Sequence, residues 1–139
     1  MKIGIFGNEG SWYVDDLQRA ARGLSCEAIR LDFRRLSMSV SRQGTQFFCD
    51  QLSLKDFNAF IVRTMPPGSL EEVVTRMDIL GQLQAAGKLV VNSPRAIECA
   101  VDKSLTTVKL AAAGLPVPAT WVGESSDDAL EAFAQLGGD

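Results

Sequence analysis

Apolar positions along the chain follow two different periods. Lys2–Phe6, Ala59–Arg63 and Lys88–Asn92 are short and almost continuously apolar, as strands buried on both faces are. Between them, apolar residues recur every three or four positions, the spacing of one helix face. The first helix should follow the Gly7-Asn8-Glu9-Gly10 loop, with Ser11 as N-cap and Val14, Leu17, Ala21 and Leu24 as its buried face. Asp15 and Asp16 sit near its positive end, and Gly23 breaks it. The second opens on a capping box, Ser69-Leu70-Glu71-Glu72, and carries Leu70, Val73, Val74, Met77, Leu80 and Leu83 on one side up to Gly87. Cys26–Leu31 alternates imperfectly and reads as a further strand. Met38–Ser41 and Thr45–Cys49 flank Arg42-Gln43-Gly44, the signature of a hairpin inserted into the alternation.

Strand and helix therefore alternate up to Asn92. Short connections with helices between strands predict a small α/β unit: a Rossmann-like parallel sheet sandwich with right-handed crossovers and a β-hairpin insertion, over residues 1–92. The pattern then changes. Ser93-Pro94 opens a helix with proline at its first position. A second stretch, about Asp102 to Ala113, ends at Gly114, and Leu105, Val108 and Ala112 extend an apolar face from Val101. Pro116 and Pro118 mark a linker, Ala119–Val122 is expected as a strand, and Ser125–Leu136 as a helix capped by Ser125 with Asp128 three positions on. The chain stops at Gly137-Gly138-Asp139, where a further strand would naturally begin, so residues 93–139 are expected to be a truncated α+β segment.

Composition removes whole function classes. The chain contains no histidine, so Ser-His-Asp and Cys-His catalysis and histidine zinc sites cannot be assembled from it. Lys plus Arg number 14 against 17 Asp plus Glu, a net charge of −3, which disfavours a nucleic-acid-coating role. Cys26, Cys49 and Cys99 are odd in number and widely spaced, as reduced thiols are. Cys26 and Cys49 fall in strand-like runs and read as buried filler. No apolar run approaches the ~18 residues of a membrane span, and the opening run is too short for a signal core. A soluble, cytoplasmic protein is expected by default.

Three places carry candidate chemistry. The loop after the first strand lies between a strand end and a helix N-terminus, where open parallel sheets bind ligands; Asn8 and Ser11 are its candidate substrate contacts. Gly4, Gly7 and Gly10, with Asp32 after the second strand, partly imitate a dinucleotide fingerprint. Gly4, however, lies inside the strand, and Glu9 puts negative charge where a phosphate would sit. Arg63 ends an apolar strand at the same sheet edge. It is either a solvated strand end or an anchor for a carboxylate, whose two oxygens its fork can hold. Asp102-Lys103 lies at a helix junction, and spacing alone makes it a surface cap.

The ordered set Asn92-Ser93-Pro94, Asp102-Lys103 and Gly114-Leu115-Pro116-Val117-Pro118, with helices between, closely resembles the entry into the ATP-grasp module, and in particular RimK-type ligases that attach glutamate or related amino acids. The match is strong from Lys88 to Pro118 and loose before about Asn58. The resemblance implies a pre-ATP-grasp domain up to Asn92 that helps to bind the acceptor, then the start of a nucleotide-binding domain. It implies an ATP-dependent carboxylate–amine ligase working with magnesium on a small-molecule or peptide carboxylate and an amino acid, with self-association open. Lys103 would be the family's first ATP-contacting lysine. The glycine-rich phosphate loop and metal ligands of the family would lie beyond Asp139, so these residues include no catalytic or metal-ligating group, and the 139 residues alone are expected to be inactive. Two other classes remain: the NAD(P)-binding domain of an oxidoreductase, and a stand-alone binding domain.

Overall fold

A computed structural model describes residues 1–137, in two compact units, Met1–Pro94 and Arg95–Asp139. The first unit holds all the strands: β1 (Lys2–Phe6), β2 (Glu27–Leu31), β3 (Leu36–Ser41), β4 (Gly44–Cys49), β5 (Leu52–Ser53), β6 (Ala59–Val62) and β7 (Leu89–Val91). Its helices are α1 (Trp12–Gly23) and α2 (Leu70–Ala85), with a 3-10 turn at Phe33–Arg35. A four-stranded sheet runs β2-β1-β6-β7, and its pairings are all parallel. The inserted hairpin, β3 and β4 with the short β5, is a separate antiparallel sheet. The α/β architecture and the hairpin insertion are those expected from the hydrophobic pattern.

β1 is the centre of the unit. Ile5 and Phe6 are fully buried, and strands flank β1 on both edges. On the Gly4 face, Phe6 stacks on Phe33 at 4.3 Å and on Phe60 at 5.9 Å, and Phe60 stacks on Phe57 at 5.6 Å. Gly4 makes room for this row: a Cβ there would lie 2.6 Å from Leu31 Cδ1 and 2.7 Å from Phe60 Cδ1.

Helix faces depart from expectation in detail. In α2 the buried residues are Arg76, Ile79, Leu80 and Leu83, whereas Leu70 and Val74 are exposed. The capping box at Ser69 forms, but Leu70 directly after it is left largely uncovered, while Val73 is half-buried. In α1, Val14 and Ala21 are buried, while Leu24 has passed the helix end and is exposed. Cys49 is buried on β4; Cys26 precedes β2 and is half-buried.

The second unit consists of α3 (Pro94–Val101, beginning at the unit boundary), α4 (Lys103–Ala112) and α5 (Ser126–Gln135). Ala119–Val122 is not a strand. Its β-branched and aromatic residues favour extension, but a strand needs a hydrogen-bonding neighbour, and every paired strand belongs to the first unit. Ala132 is the unit's one buried apolar residue among those described; Val101, Val108, Val122, Leu130 and Phe133 are exposed. The face expected along Val101, Leu105 and Val108 is thus largely uncovered. No described helix is long and apolar enough to cross a membrane.

Two outcomes are expected. Gly4→Ala should destabilise the first unit by roughly 1–3 kcal/mol, the range for overpacking a dense core, read as a lower midpoint in thermal or urea melts. Amide exchange over Thr120–Leu136 should be faster than at Ile61 or Val90, because little apolar surface holds that region; equal protection would contradict this.

Candidate functional site

The strand order places a crevice at the carboxyl ends of β1 and β6. From β1 the chain steps to β2 on one side and later to β6 on the other. At this reversal the connections leave in opposite directions, the kind of place where open parallel sheets receive ligands. The hydrogen bonds show where the divergence starts. The Phe6 carbonyl accepts from the backbone N–H of Arg63 (2.9 Å) and Thr64 (3.2 Å), toward β6, while the Gly7 N–H donates to the Leu31 carbonyl (3.3 Å), toward β2. Arg30 Nη1 donates to the Gly7 carbonyl at 3.3 Å and fixes the loop from below.

The topology puts three of the four sequence-selected residues at this sheet edge. Asn8 is exposed in the loop, Ser11 precedes α1, and Arg63 follows β6. Ser11 occupies the N-cap position with extended backbone, and its carbonyl accepts from Val14 and Asp15, but its hydroxyl makes no capping bond. The expected cap is therefore backbone only, and the Ser11 Oγ is left for other partners. The Arg63 guanidinium lies 4.1 Å from the Tyr13 ring centroid, and it forms no ion pair with a carboxylate among the described residues. Tyr13 in turn stacks on Trp12 at 3.8 Å.

Lys103 belongs to the second unit, as the exposed first residue of α4. Asp102 caps that helix: its Oδ1 accepts from the Leu105 N–H (2.9 Å) and from the Ser104 hydroxyl (2.7 Å). These bonds to the ionised form hold the Asp102 carboxyl below its ordinary value. Asp128 is lowered in the same way by the backbone N–H and then the hydroxyl of Ser125 in the α5 capping box. Among the described residues no three Cys, Asp or Glu side chains come together as a metal site.

Sequence reasoning passed over Trp12, Tyr13, Arg30 and Arg76. Arg76 is 6% exposed and donates from Nη1 to the Pro66 carbonyl at 2.7 Å, fixing the segment that follows Arg63. A charged residue one helical turn from Ile79 and Leu80 and two from Leu83, and another inside a parallel strand, were the signals for Arg76 and Arg30. The glycines imitate a dinucleotide fingerprint for packing reasons. Gly4 faces Leu31 and Phe60, a Cβ on Gly7 would lie 2.6 Å from Val14 Cγ2, and Asp32 caps the 3-10 turn through the Arg34 N–H.

A family model for the RimK PreATP-grasp domain matches residues 1–97. The chain belongs to that family. In this RimK-type ATP-grasp group, a tetrahydromethanopterin:alpha-L-glutamate ligase of Methanosarcina acetivorans is 38% identical over 98% of this chain and 44% of its own length. A RimK domain ATP-grasp protein from Sphaerobacter thermophilus superposes with TM-score 0.76 at 20% identity, over 99% of this chain and 47% of that one. The ATP-grasp ligase PsnB complexed with a minimal precursor gives 0.69 at 23%, over 97% and 50%. The chain thus spans about half the length of the relatives it matches.

The two capping carboxylates predict the acid response of the second unit. Their folded values lie below the unfolded ones, so the stabilisation is present above the ordinary carboxylate range and is lost as pH falls through the lowered values. Acidification should therefore fray the first turns of α4 and α5, seen as loss of amide protection there. Asp102→Ala and Asp128→Ala should each abolish the pH dependence of their own helix; an unchanged profile would contradict the assignment.

Proposed function

We propose that this chain is the amino-terminal part of an ATP-dependent carboxylate–amine ligase that adds glutamate or a similar amino acid to an acceptor. The observation that carries it is the 38% identity, over nearly the whole chain, to a ligase whose name specifies glutamate as the amino acid and tetrahydromethanopterin as the acceptor. In the reaction, ATP transfers its γ-phosphoryl group to the substrate carboxylate, giving an acyl phosphate and ADP. The amine attacks the acyl carbon, phosphate leaves, and an amide forms. PsnB complexes with Mg and ADP and with AMPPNP and a precursor peptide fit the same cofactors.

Residues 1–92 then form the pre-ATP-grasp domain and residues 93–139 open the nucleotide-binding domain. Arg63 anchors an acceptor carboxylate through its guanidinium fork, aided by Asn8 and the uncommitted hydroxyl of Ser11. Lys103 neutralises ATP phosphate charge: Asp102 fixes the start of α4, and a helix N-terminus suits an anion. The enzyme works in the cytoplasm on a small-molecule or peptide acid.

The complete enzyme tests this directly. ATP, glutamate and an acid acceptor should give ADP, phosphate and an amide in equal amounts; ATP consumption without amide would remove the reading. Lys103→Ala should raise the ATP concentration for half-maximal rate about ten- to hundredfold, the loss of one charge-assisted hydrogen bond. Lys103→Arg should recover part of it, and neither should change the melting midpoint. ATP titration curves that overlap the parent's would reduce Lys103 to a solvated surface residue.

A further inference from the structure

β3 lies at the edge of its sheet, so one side of its backbone has no neighbouring strand. Its pairing with β4 is one-to-one from Leu36–Cys49 to Ser41–Gly44, without a bulge. Two bonds fix which of its residues face out. The Asp50 N–H donates to the Arg35 carbonyl at 3.0 Å, and the Leu54 N–H to the Phe47 carbonyl at 2.9 Å. Bonding alternates along each strand of an antiparallel ladder. Phe47 and Cys49 therefore turn their backbone toward β5, and Gln46 and Phe48 toward β3, where they bond Ser39 and Ser37. The N–H and C=O groups of Met38 and Val40 point away from β4, and no other backbone bond holds them among the described residues. Leu36, by contrast, spends its N–H on the Phe33 carbonyl.

Exposed edges are normally blunted by shortness, charge or proline. The opposite edge of this sheet, β5, is two residues long. In the parallel sheet, β7 has three residues and β2 carries Glu27 and Arg30. β3 has none of these devices: Leu36–Ser41 contains no charge and no proline. Met38 and Val40 share one face, 37% and 70% exposed, with Ser37, Ser39 and Ser41 on the other.

We propose that the free edge of β3 docks an extended segment of a partner protein as an added antiparallel strand, with apolar side chains beside Met38 and Val40 and a carboxylate beside Arg42. Strand addition draws affinity from main-chain bonds and selectivity from alternate side chains. Arg42 selects the acid. It is the one charged residue from Leu36 to Cys49, and it forms no ion pair among the described residues. It also disfavours a second copy of this chain. Self-pairing centred on the strand would set Arg42 against Arg35, and parallel pairing would set Arg42 against itself. Six residues make about 20 Å of strand, which suits a peptide and falls short of the ~800 Å² per partner of a stable dimer. Docking here needs neither the crevice nor ligase activity.

The probe is a blocked peptide in which valine and threonine alternate between terminal aspartates, Asp-Val-Thr-Val-Thr-Val-Asp, titrated into the complete protein. It should shift the Met38 and Val40 amide signals saturably and slow their exchange with solvent, while Ser37 and Ser39, already in the ladder, stay protected throughout. In an added antiparallel strand the valines lie on the Met38 face, and their own N–H groups face β3. N-methylation of the valines should therefore abolish binding, and N-methylation of the threonines should not. Arg42→Glu should weaken the peptide roughly two- to fivefold, the scale of an exposed ion pair, and should favour a version ending in lysines. Val40→Pro removes an N–H that the hairpin does not use, so binding should be lost while Ser37 and Ser39 remain protected. Met38 and Val40 amides protected before any peptide is added, or equal binding by the valine-methylated peptide, would overturn the docking edge. Equal affinity of the parent for the lysine-ended peptide would overturn the acidic partner. Self-association that Val40→Pro abolishes would give the edge to a second copy and overturn the proposal as well.

Discussion

β1 must satisfy its backbone on both edges at once. A five-residue strand paired to β2 on one side and β6 on the other has no solvent edge, and its last three residues are buried on both faces. That condition selects the residues: Ile5 and Phe6 fully buried, and Gly4 bare so that the Phe60 and Leu31 side chains can close over it. It also makes the crevice. Because β2 and β6 lie on opposite sides of β1, the Phe6 carbonyl and the Gly7 N–H are bonded toward different strands, and the loops beyond them part. The position of Arg63 and the entry of α1 are consequences of where that central strand ends.

Most of the first unit was legible because its central strand is buried on both faces toward its end and its helices on one, and burial writes itself into sequence as period. The helix faces were less exact. Leu70 fits the apolar stripe of α2 but lies in a first turn that overhangs the core, while Arg76 lies in the core and reads as polar. An apolar pattern reports where a side chain can be buried, and only the partner decides whether it is. Ala119–Val122 shows the same limit for strands, whose local preference for extension is of no effect without a ladder to join. In the candidate site, the loop, Ser11 and Arg63 followed from topology. The aromatic stack did not, because Trp12 and Tyr13 satisfy no buried period and meet Arg63 only through a fold that joins α1 to β6.

The two units are held by different forces. In the first, a row of phenylalanines and the fully buried Leu54, Leu80 and Leu83 supply dispersion and hydrophobic burial, which salt and acid affect little. In the second, with Ala132 alone buried among its described apolar residues, helix ends carry more of the order. Asp102 caps α4, the Ser125–Asp128 box caps α5, and the Thr106 hydroxyl ties α4 to the Cys99 carbonyl at 2.6 Å. Such local bonds fix where a helix begins without fixing a core. That arrangement positions Lys103 by its cap rather than by packing.

The arginines around the crevice illustrate how one residue type is given different work by its surroundings. Arg76, buried, spends its guanidinium on the Pro66 carbonyl, and removing it would orphan that acceptor. Arg30, half-buried, holds the Gly7 carbonyl and so sets the loop. Both are committed to backbone oxygens, which no substrate can displace without unmaking the segment they hold. Arg63 is different: its partner is a ring face, which orders the guanidinium while leaving its N–H donors unsatisfied by any carboxylate of the described residues. A cation held by stacking instead of by an ion pair is preorganised and still uncommitted. Of the three, Arg63 is therefore the one committed neither to a backbone oxygen nor to a carboxylate of the described residues.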